Sequence, residues 1–370
     1  MLWLKREPRS HFKEDLELKR IVSIALVIAI LAGLTVMFSG CGDNREVLTV
    51  CNWGEYISDE DDGEEIFDVI KKFEEEYNVR VDYQLEETNE SLYTKLKSGS
   101  VSYDVIFPSD YLIEQLISEN MLAKLDFNNI PNFSNIMDKF KNLDYDPTNE
   151  YSVPYFWGTV GIIYNEDLVE GEVTSWDDLW TDKYPNMVLM FDNPRDAFAI
   201  AENKLGYSMN TTDENEIRAA AEELKKQKFS YVMDQIFTVM PANAAVLGPY
   251  YAGDYLTMAS ENESLKFVRP ESGTNIFNDA MCVPATSEHK ELAEKFINYM
   301  LRADVGLANT KALGYSTPNQ AVYDLLDDET KNDEVAYPEI QDNWEAFRML
   351  PKETTELMRE LWNDVTTANK

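Results

Sequence analysis

The residues able to do chemistry in this 370-residue chain are aromatic and acidic, and they lie far apart in sequence. Trp53, Tyr56, Tyr111, Asp196, Tyr251 with Asp254, Phe277 with Asp279, and Tyr315 each stand where the local pattern reads as a strand end or a turn. Aromatic faces attract ammonium groups through the ring quadrupole. Carboxylates neutralise the same groups by charge-assisted hydrogen bonds. A cleft built from both suits a small organic cation with an apolar chain. Covalent chemistry is poorly provided for. Of the two histidines, His11 is near the start and His289 sits in the polar run Ser287-Glu288-His289-Lys290, which supports neither zinc nor a Ser-His-Asp triad. Neither common glycine-rich phosphate loop occurs. The acidic run Asp59-Glu60-Asp61-Asp62-Gly63 invites a calcium-loop reading. Counted from Ser58, however, the twelfth position is Val69 where that loop needs glutamate, so the run reads as a solvated helix start.

Charge narrows the partners. The chain carries 33 basic and 68 acidic residues, a net −35. Residues 1–40 hold six basic and four acidic side chains, so the remainder stands at −37. A duplex-binding protein needs a basic face, and none is visible, which excludes nucleic acid. Most of the acid reads as hydrated surface. Only acids inside a cleft are candidates for holding a cation.

Residues 21–38 are uncharged, follow Lys19 and Arg20, and lead through Ser39 and Gly40 to Cys41 and a polar stretch. A basic flank, an apolar core and small residues before a cysteine make an export signal. Phe38-Ser39-Gly40-Cys41 resembles a bacterial lipoprotein cleavage box, with Phe38 in place of the usual aliphatic residue. That resemblance implies removal of 1–40, lipidation of Cys41 and a tether over 41–46. The alternative is an uncleaved anchor, because 18 apolar residues nearly span a bilayer. Both leave the rest of the chain outside the cytoplasm, tethered to the membrane. Cys51 and Cys282 lie in apolar strand-like runs and read as buried free thiols. A disulfide is the alternative outside the cell.

The elements that must position the aromatic and acidic residues follow an α/β grammar. Residues 47–51 form an apolar run that predicts a buried strand ending at Asn52-Trp53-Gly54. Helical spacing of Ile66, Phe67, Val69, Ile70 and Phe73 predicts a helix over 64–77. A strand over 79–83, a helix over 91–97, a strand over 103–107 broken by Pro108-Ser109-Asp110, and a helix from Tyr111 to about Glu119 follow. This β-α-β-α-β-α order predicts a parallel sheet covered by helices. Ligands then sit outside the carboxyl ends of the strands, where Trp53 and Ser109 fall. The extended stretch 151–164 reads as a crossover into a second domain of the same grammar. There, 188–191 is a strand ending at Asp192 to Asp196. Residues 197–205 and 214–226 are helices, 244–247 is a short strand ending at Gly248, and 265–268 is an apolar edge. A strand over 280–283 returns to the first domain, an amphipathic helix covers 291–301, and the tail over 344–367 reads as mainly helical.

Five stretches together carry a resemblance. They are Asn52-Trp53-Gly54-Glu55-Tyr56, Val153-Pro154-Tyr155-Phe156-Trp157-Gly158, Thr174-Ser175-Trp176-Asp177-Asp178-Leu179-Trp180, Phe277-Asn278-Asp279-Ala280 and Gly314-Tyr315-Ser316-Thr317-Pro318-Asn319. The chain over about 47–370 resembles the spermidine/putrescine-binding proteins of bacterial polyamine ABC importers. The resemblance implies an α/β, two-lobed periplasmic-binding-protein fold, each lobe a mainly parallel sheet flanked by helices, with the ligand cleft between them. Residues 47–154 and 281–335 would make the first lobe, 155–280 and 336–370 the second, with hinge crossings near 154–158 and 279–283. The lobes would close on a polyamine and present it to membrane permease subunits. A monomer is expected, with no cofactor, metal or catalytic residue.

Carried over residue by residue, Trp53 and Tyr56 match family aromatics of the first lobe, and Ser109 and Tyr111 match a Ser-x-Tyr loop. Asp196 matches an acid that pairs with a terminal amine, and Asn193 falls where spermidine-binding members have a second aspartate. Tyr251 stands where tryptophan is usual, and Asp254 where putrescine-binding members place an acid. Phe277 matches an aromatic wall, Asp279 an amine-binding acid and Tyr315 a family tyrosine. The rearranged acids favour the shorter diamine. Arg348 falls where some members have a pocket glutamine, and an arginine there would favour a carboxylate-bearing ligand. Two other readings therefore stand beside the first: the same fold holding an amino acid, opine or quaternary amine, and an extracellular hydrolase using paired acids. For the anchor, Cys41→Ala should abolish acyl labelling of the protein in its native host, and labelling that persists would place the lipid elsewhere.

Overall fold

The computed structural model describes residues 43, 45–59 and 67–368. The export segment, Cys41 and the acidic run after Asp59 lie outside them. The strands are β1 (Val47–Trp53), β2 (Arg80–Glu86), β3 (Val105–Ile106), β4 (Ser152–Asn165), β5 (Leu189–Phe191), β6 (Ser230–Val232), β7 (Leu247–Tyr251), β8 (Leu265–Val268) and β9 (Ile276–Cys282).

The first half follows its sequence pattern. β1 pairs parallel with both β2 and β3. The intervening helices are Val69–Tyr77 and Asn89–Ser98. Their N-termini are capped by the side chains of Asp68 and Thr88, which accept the N–H groups of Lys71 and Ser91. They end at Asn78 and Gly99 in the left-handed conformation. The Asp68 cap explains why the described helix begins at Val69, later than the apolar spacing suggests.

β4 is a single strand of 14 residues, buried along nearly its whole length. β9 runs antiparallel to it, from Ser152↔Cys282 to Thr159↔Ile276, and also meets β3 at Ile106↔Cys282. One sheet therefore runs β2-β1-β3-β9-β4-β7, with β8 also on β4. This corrects the parallel expectation for the second half. The chain leaves along β4 and returns along β9, so the strands built around that pair are antiparallel, β7 and β8 included. Among the second-half strands β5 and β6 form a parallel pair, and Val188, just before β5, bridges in parallel to Leu247 of β7.

Two further expectations are corrected. The strand read as ending at Gly248 runs from Leu247 to Tyr251. Gly248 and Pro249 look like breakers, but they pair with Ile163 and Ile162 on the sheet's edge strand, where proline is tolerated. The C-terminal helix is confined to Lys352–Ala368, after Pro351. The residues before it form an extended strap that bridges in parallel to Asn275 through Glu345.

Two apolar cores define two lobes. One gathers Leu48, Val50, Phe73, Phe107, Phe296 and Ile297. The other gathers Ile162, Trp176, Phe191, Phe198, Ile217 and, from the C-terminal helix, Met358, Leu361 and Val365. β4 passes between them, with Trp157 in the first core and Val160 in the second. Cys51 and Cys282 are free and buried in a shared apolar cluster. Among the described residues no helix is long and apolar enough to cross a membrane.

The β4 packing is tight at Gly161. A Cβ there would stand 2.3 Å from the Phe267 ring and 2.7 Å from the main-chain oxygen of Val268. The ring can yield, but the carbonyl is fixed by the β4–β8 pairing. Gly161→Ala should cost about 1–3 kcal/mol in denaturant unfolding. A loss below about 0.5 kcal/mol would show that β8 is free to shift.

Candidate functional site

A cavity of about 100 Å³ opens where the sheet's chemistry converges, and all eleven residues singled out from sequence line it. It lies at the carboxyl ends of strands from both lobes. Trp53 ends β1, Glu86 ends β2, Ser109 follows β3, Asn193 follows β5, Met233 follows β6 and Tyr251 ends β7. That is where the loops of an α/β sheet place a ligand.

Each side chain has a local reason for its position. The turn after β1 passes through Glu55 at φ 48°, which brings Tyr56 back beside Trp53. Ser109 precedes the helix Asp110–Ser118. It accepts from Asn89 Nδ2 at 3.0 Å and donates its own N–H to Asn89 Oδ1 at 3.2 Å, tying the loops after β2 and β3 together. The Tyr111 hydroxyl donates to Glu90 Oε1 at 3.0 Å. Asn193 caps the helix Pro194–Leu205 by accepting the N–H of Arg195 at 2.9 Å, so at the second-acid position the side chain serves the backbone. Asp196 lies in that helix's first turn, and Asp254 in the first turn of the helix Ala252–Glu261, both favourable to the helix dipole. Phe277 and Asp279 come from β9, and Tyr315 follows the helix Ala303–Leu313.

The acids are each set against a tyrosine. Tyr56 Oη donates to Asp279 Oδ2 at 2.7 Å. The Tyr251 hydroxyl stands 3.5 Å from Asp196 Oδ2, and the Tyr315 hydroxyl lies beside Asp254 and favours its ionised form. The rings form a continuous wall: Tyr56 meets Tyr315 edge-on at 4.8 Å, Tyr315 faces Phe277 at 6.2 Å, and Phe277 meets Tyr251 at 5.3 Å. Gly253 makes this possible, because a Cβ there would lie 2.5 Å from the Tyr315 ring. Asp279 Oδ1 is buried and makes no hydrogen bond of good geometry to the described residues, although the Ser109 hydroxyl lies near enough to favour the ionised carboxylate. An unsatisfied buried acceptor is costly, and here it is a place for a donor from a ligand.

Among the described residues, no lysine or arginine lines the cavity. Burial therefore dominates the titration. It pushes Asp279 up to about 6, with the hydroxyls of Ser109 and Tyr56 opposing the rise. It pushes Asp196 up to about 7, with Glu90 adding to the rise and Arg195 opposing it. Asp254 is pushed up to about 8, against the Tyr315 hydroxyl.

Sequence reasoning missed several lining residues. Asp110 is fully buried and accepts the N–H groups of Tyr111 at 2.8 Å and Asn278 at 3.4 Å. Burial holds it well above the usual carboxylate range. Its place between Ser109 and Tyr111 was the available signal. Asp234 follows β6, a strand too short and polar to read from sequence. Glu86 also lines the cavity but is ion-paired with Lys95. Arg348 is not among the lining residues. Its guanidinium instead pairs with Glu114 and Asp144, which removes the basis for a carboxylate-bearing ligand. Among the described residues no cluster of His, Cys, Asp or Glu is arranged to hold a metal ion.

Comparison with known proteins adds the following. The sequence profile of the family described as bacterial extracellular solute-binding protein matches residues 100–341. The spermidine/putrescine-binding periplasmic protein of Salmonella typhimurium is 35% identical over 310 residues, covering 82% of this chain and 87% of that protein. The putrescine-binding periplasmic protein SpuD of Pseudomonas aeruginosa is 29% identical over 366 residues, covering 92% of this chain and 97% of that protein. Among solved structures, the spermidine/putrescine ABC transporter substrate-binding protein PotD of Streptococcus pneumoniae superposes with a TM-score of 0.72 at 34% identity, covering 88% of this chain and 100% of its own.

The raised acids give the ligand-free protein an unusual pH profile. Unfolded aspartates titrate near about 4. Between there and about 8 the folded state binds more protons than the unfolded chain, so stability falls as pH rises through this window. The melting temperature without ligand should be lower at pH 8 than at pH 6. Asp254→Asn should flatten the slope and raise stability at pH 8. A melting temperature that climbs from pH 6 to 8, or a slope the variant leaves unchanged, would contradict the assignment.

Proposed function

This chain belongs to the bacterial extracellular solute-binding protein family, and from that premise we propose that it captures putrescine or spermidine in the cavity between its lobes and delivers it to an ABC permease for import. The observation that carries this reading is the buried set Asp196, Asp254 and Asp279 in a cavity lined, among the described residues, by no lysine or arginine. An organic polycation supplies the missing charge, and the relatives described above are named for such ligands.

The ligand's methylenes lie against Trp53, Tyr251 and Phe277, each buried CH₂ contributing roughly 0.8 kcal/mol. One ammonium donates to Oδ1 of Asp279, and a second-lobe acid holds the other end. Acid spacing then sets ligand length, because a desolvated ammonium without a partner is costly. An amino acid or opine would need a cation for its carboxylate, and Arg348 is engaged elsewhere. The hydrolase reading has no support from the family, whose members bind solutes. The reading extends to an extracytoplasmic monomer held at the membrane through lipidated Cys41, with residues 47–154 and 281–335 moving against 155–280 and 336–370.

Isothermal titration with putrescine and spermidine tests this. Asp279→Asn should weaken both ligands, since losing a buried charged partner costs on the order of 2–5 kcal/mol, roughly 30- to 4,000-fold in affinity. Asp254→Ser should hurt putrescine more than spermidine. Undiminished affinity in Asp279→Asn would sink the site, whereas equal losses at Asp254 would sink only the length argument.

A further inference from the structure

The strap before the C-terminal helix touches both lobes. On one side its backbone is pinned to the second lobe. Asn210 accepts the N–H of Arg348 at 2.8 Å and donates to the carbonyl of Ala346 at 2.9 Å. Arg195 Nη2 also reaches the carbonyl of Arg348 at 3.4 Å. The helix that follows joins the second-lobe core through Met358, Leu361 and Val365.

On its other side the strap meets the first-lobe helix Asp110–Ser118 with three consecutive residues. Phe347 packs edge-on against Tyr111 at 5.7 Å. Arg348 forks onto Glu114, Nη2 to Oε1 at 3.0 Å and Nε to Oε2 at 3.2 Å, and its Nη1 donates to Asp144 Oδ2 at 3.0 Å. Met349 donates its N–H to Glu114 Oε2 at 2.8 Å, and its sulfur lies 3.5 Å from Ser118 Oγ. Positions 111, 114 and 118 form one stripe of a helix. An extended segment laid along such a stripe makes its contacts together or loses them together.

We infer that residues 347–349 form an interlobe strap in which Arg348 is a positioning residue: it sets polyamine affinity by holding the cleft shut and touches no ligand. The inference rests on the polyamine reading for its ligand, but its contacts lie outside the cavity lining, apart from Phe347 and Tyr111. Contacts made only in the shut form shift the open–shut equilibrium. Every ligand that needs closure then loses the same factor when the strap is cut. Arg195 couples the strap to the site, since it holds the carbonyl of Arg348 and immediately precedes Asp196 in the helix. Arg348 and Asp144 are exposed, so each ion pair alone is weak. The fork onto the better-buried Glu114 is the stronger contact.

The test is titration and dissociation kinetics of putrescine and spermidine on wild type, Arg348→Ala, Glu114→Arg and the charge-swapped pair Arg348→Glu with Glu114→Arg. Ligand-free scattering accompanies it. Arg348→Ala should weaken both ligands by the same factor, roughly three- to tenfold. Dissociation should become faster, and association should not slow. The charge-swapped pair should recover affinity that Glu114→Arg alone loses, and the gain over Arg348→Ala should shrink at high salt. Arg348→Lys, which keeps the charge but loses the fork, should fall between. Unequal factors for the two ligands, unchanged dissociation, or no recovery in the swap would overturn the strap. If wild type binds neither polyamine, the polyamine reading fails instead. Scattering then decides the strap, which predicts a larger radius of gyration for ligand-free Arg348→Ala, and an unchanged radius overturns it.

Discussion

The structure turns on carboxylates taken out of water with a single buried cation among the described residues, Arg195, near enough to offset only part of the cost at Asp196 and Asp110. Asp196, Asp254, Asp279 and Asp110 are all buried, and among the described residues no lysine or arginine lines the cavity they share. Burying an unpaired charge costs several kcal/mol, so such a group takes up a proton or finds a partner. The raised titrations of these acids are the protein's own answer when the cavity holds no cation. The tyrosine hydroxyls relieve the cost only in part, and Asp279 Oδ1 makes no hydrogen bond of good geometry to the described residues. In the proposed reading a bound polyammonium completes the site, and part of its affinity is the relief of a cost already present in the fold.

The rest of the architecture holds those acids apart from solvent and from each other. β4 and β9 run antiparallel between the lobes, and Phe277 and Asp279 ride on the strand that returns. Loops at the carboxyl ends of strands from both lobes then face one another across the cavity. The aromatic wall from Tyr56 through Tyr315 and Phe277 to Tyr251 excludes water while offering ring faces and edges to a methylene chain.

Much of this was legible in the residues. The apolar run before Trp53 and the strand broken at Pro108 are buried segments with a turn at a fixed place, so the position of Trp53 and Ser109 followed from pattern alone. The second lobe was harder. Its antiparallel sheet depends on which strands return between the lobes, and spacing along the chain carries no such information. Gly248 and Pro249 advertise a turn, and only the edge position of β7 allows them in a strand. Asp110 looks like an ordinary solvated helix start, and its burial against β9 is a tertiary fact. Arg348 was placed near the pocket by resemblance. The direction it faces depends on Asn210 and Arg195 gripping its backbone from more than a hundred residues away.

The most direct test of the central claim is the proton count on binding. Putrescine titrated calorimetrically at pH 7 in two buffers of different ionisation enthalpy should give different apparent enthalpies. Their sign should correspond to proton release into the buffer, because the ligand's ammonium groups convert protonated Asp196 and Asp254 to carboxylates. The release should shrink as pH rises above about 8, where the acids are already ionised, and give way to uptake near about pH 10, where the diamine itself must be protonated to bind. Equal enthalpies in the two buffers at pH 7, or net proton uptake there, would contradict an account in which buried, only partly compensated acids are what the ligand comes to neutralise.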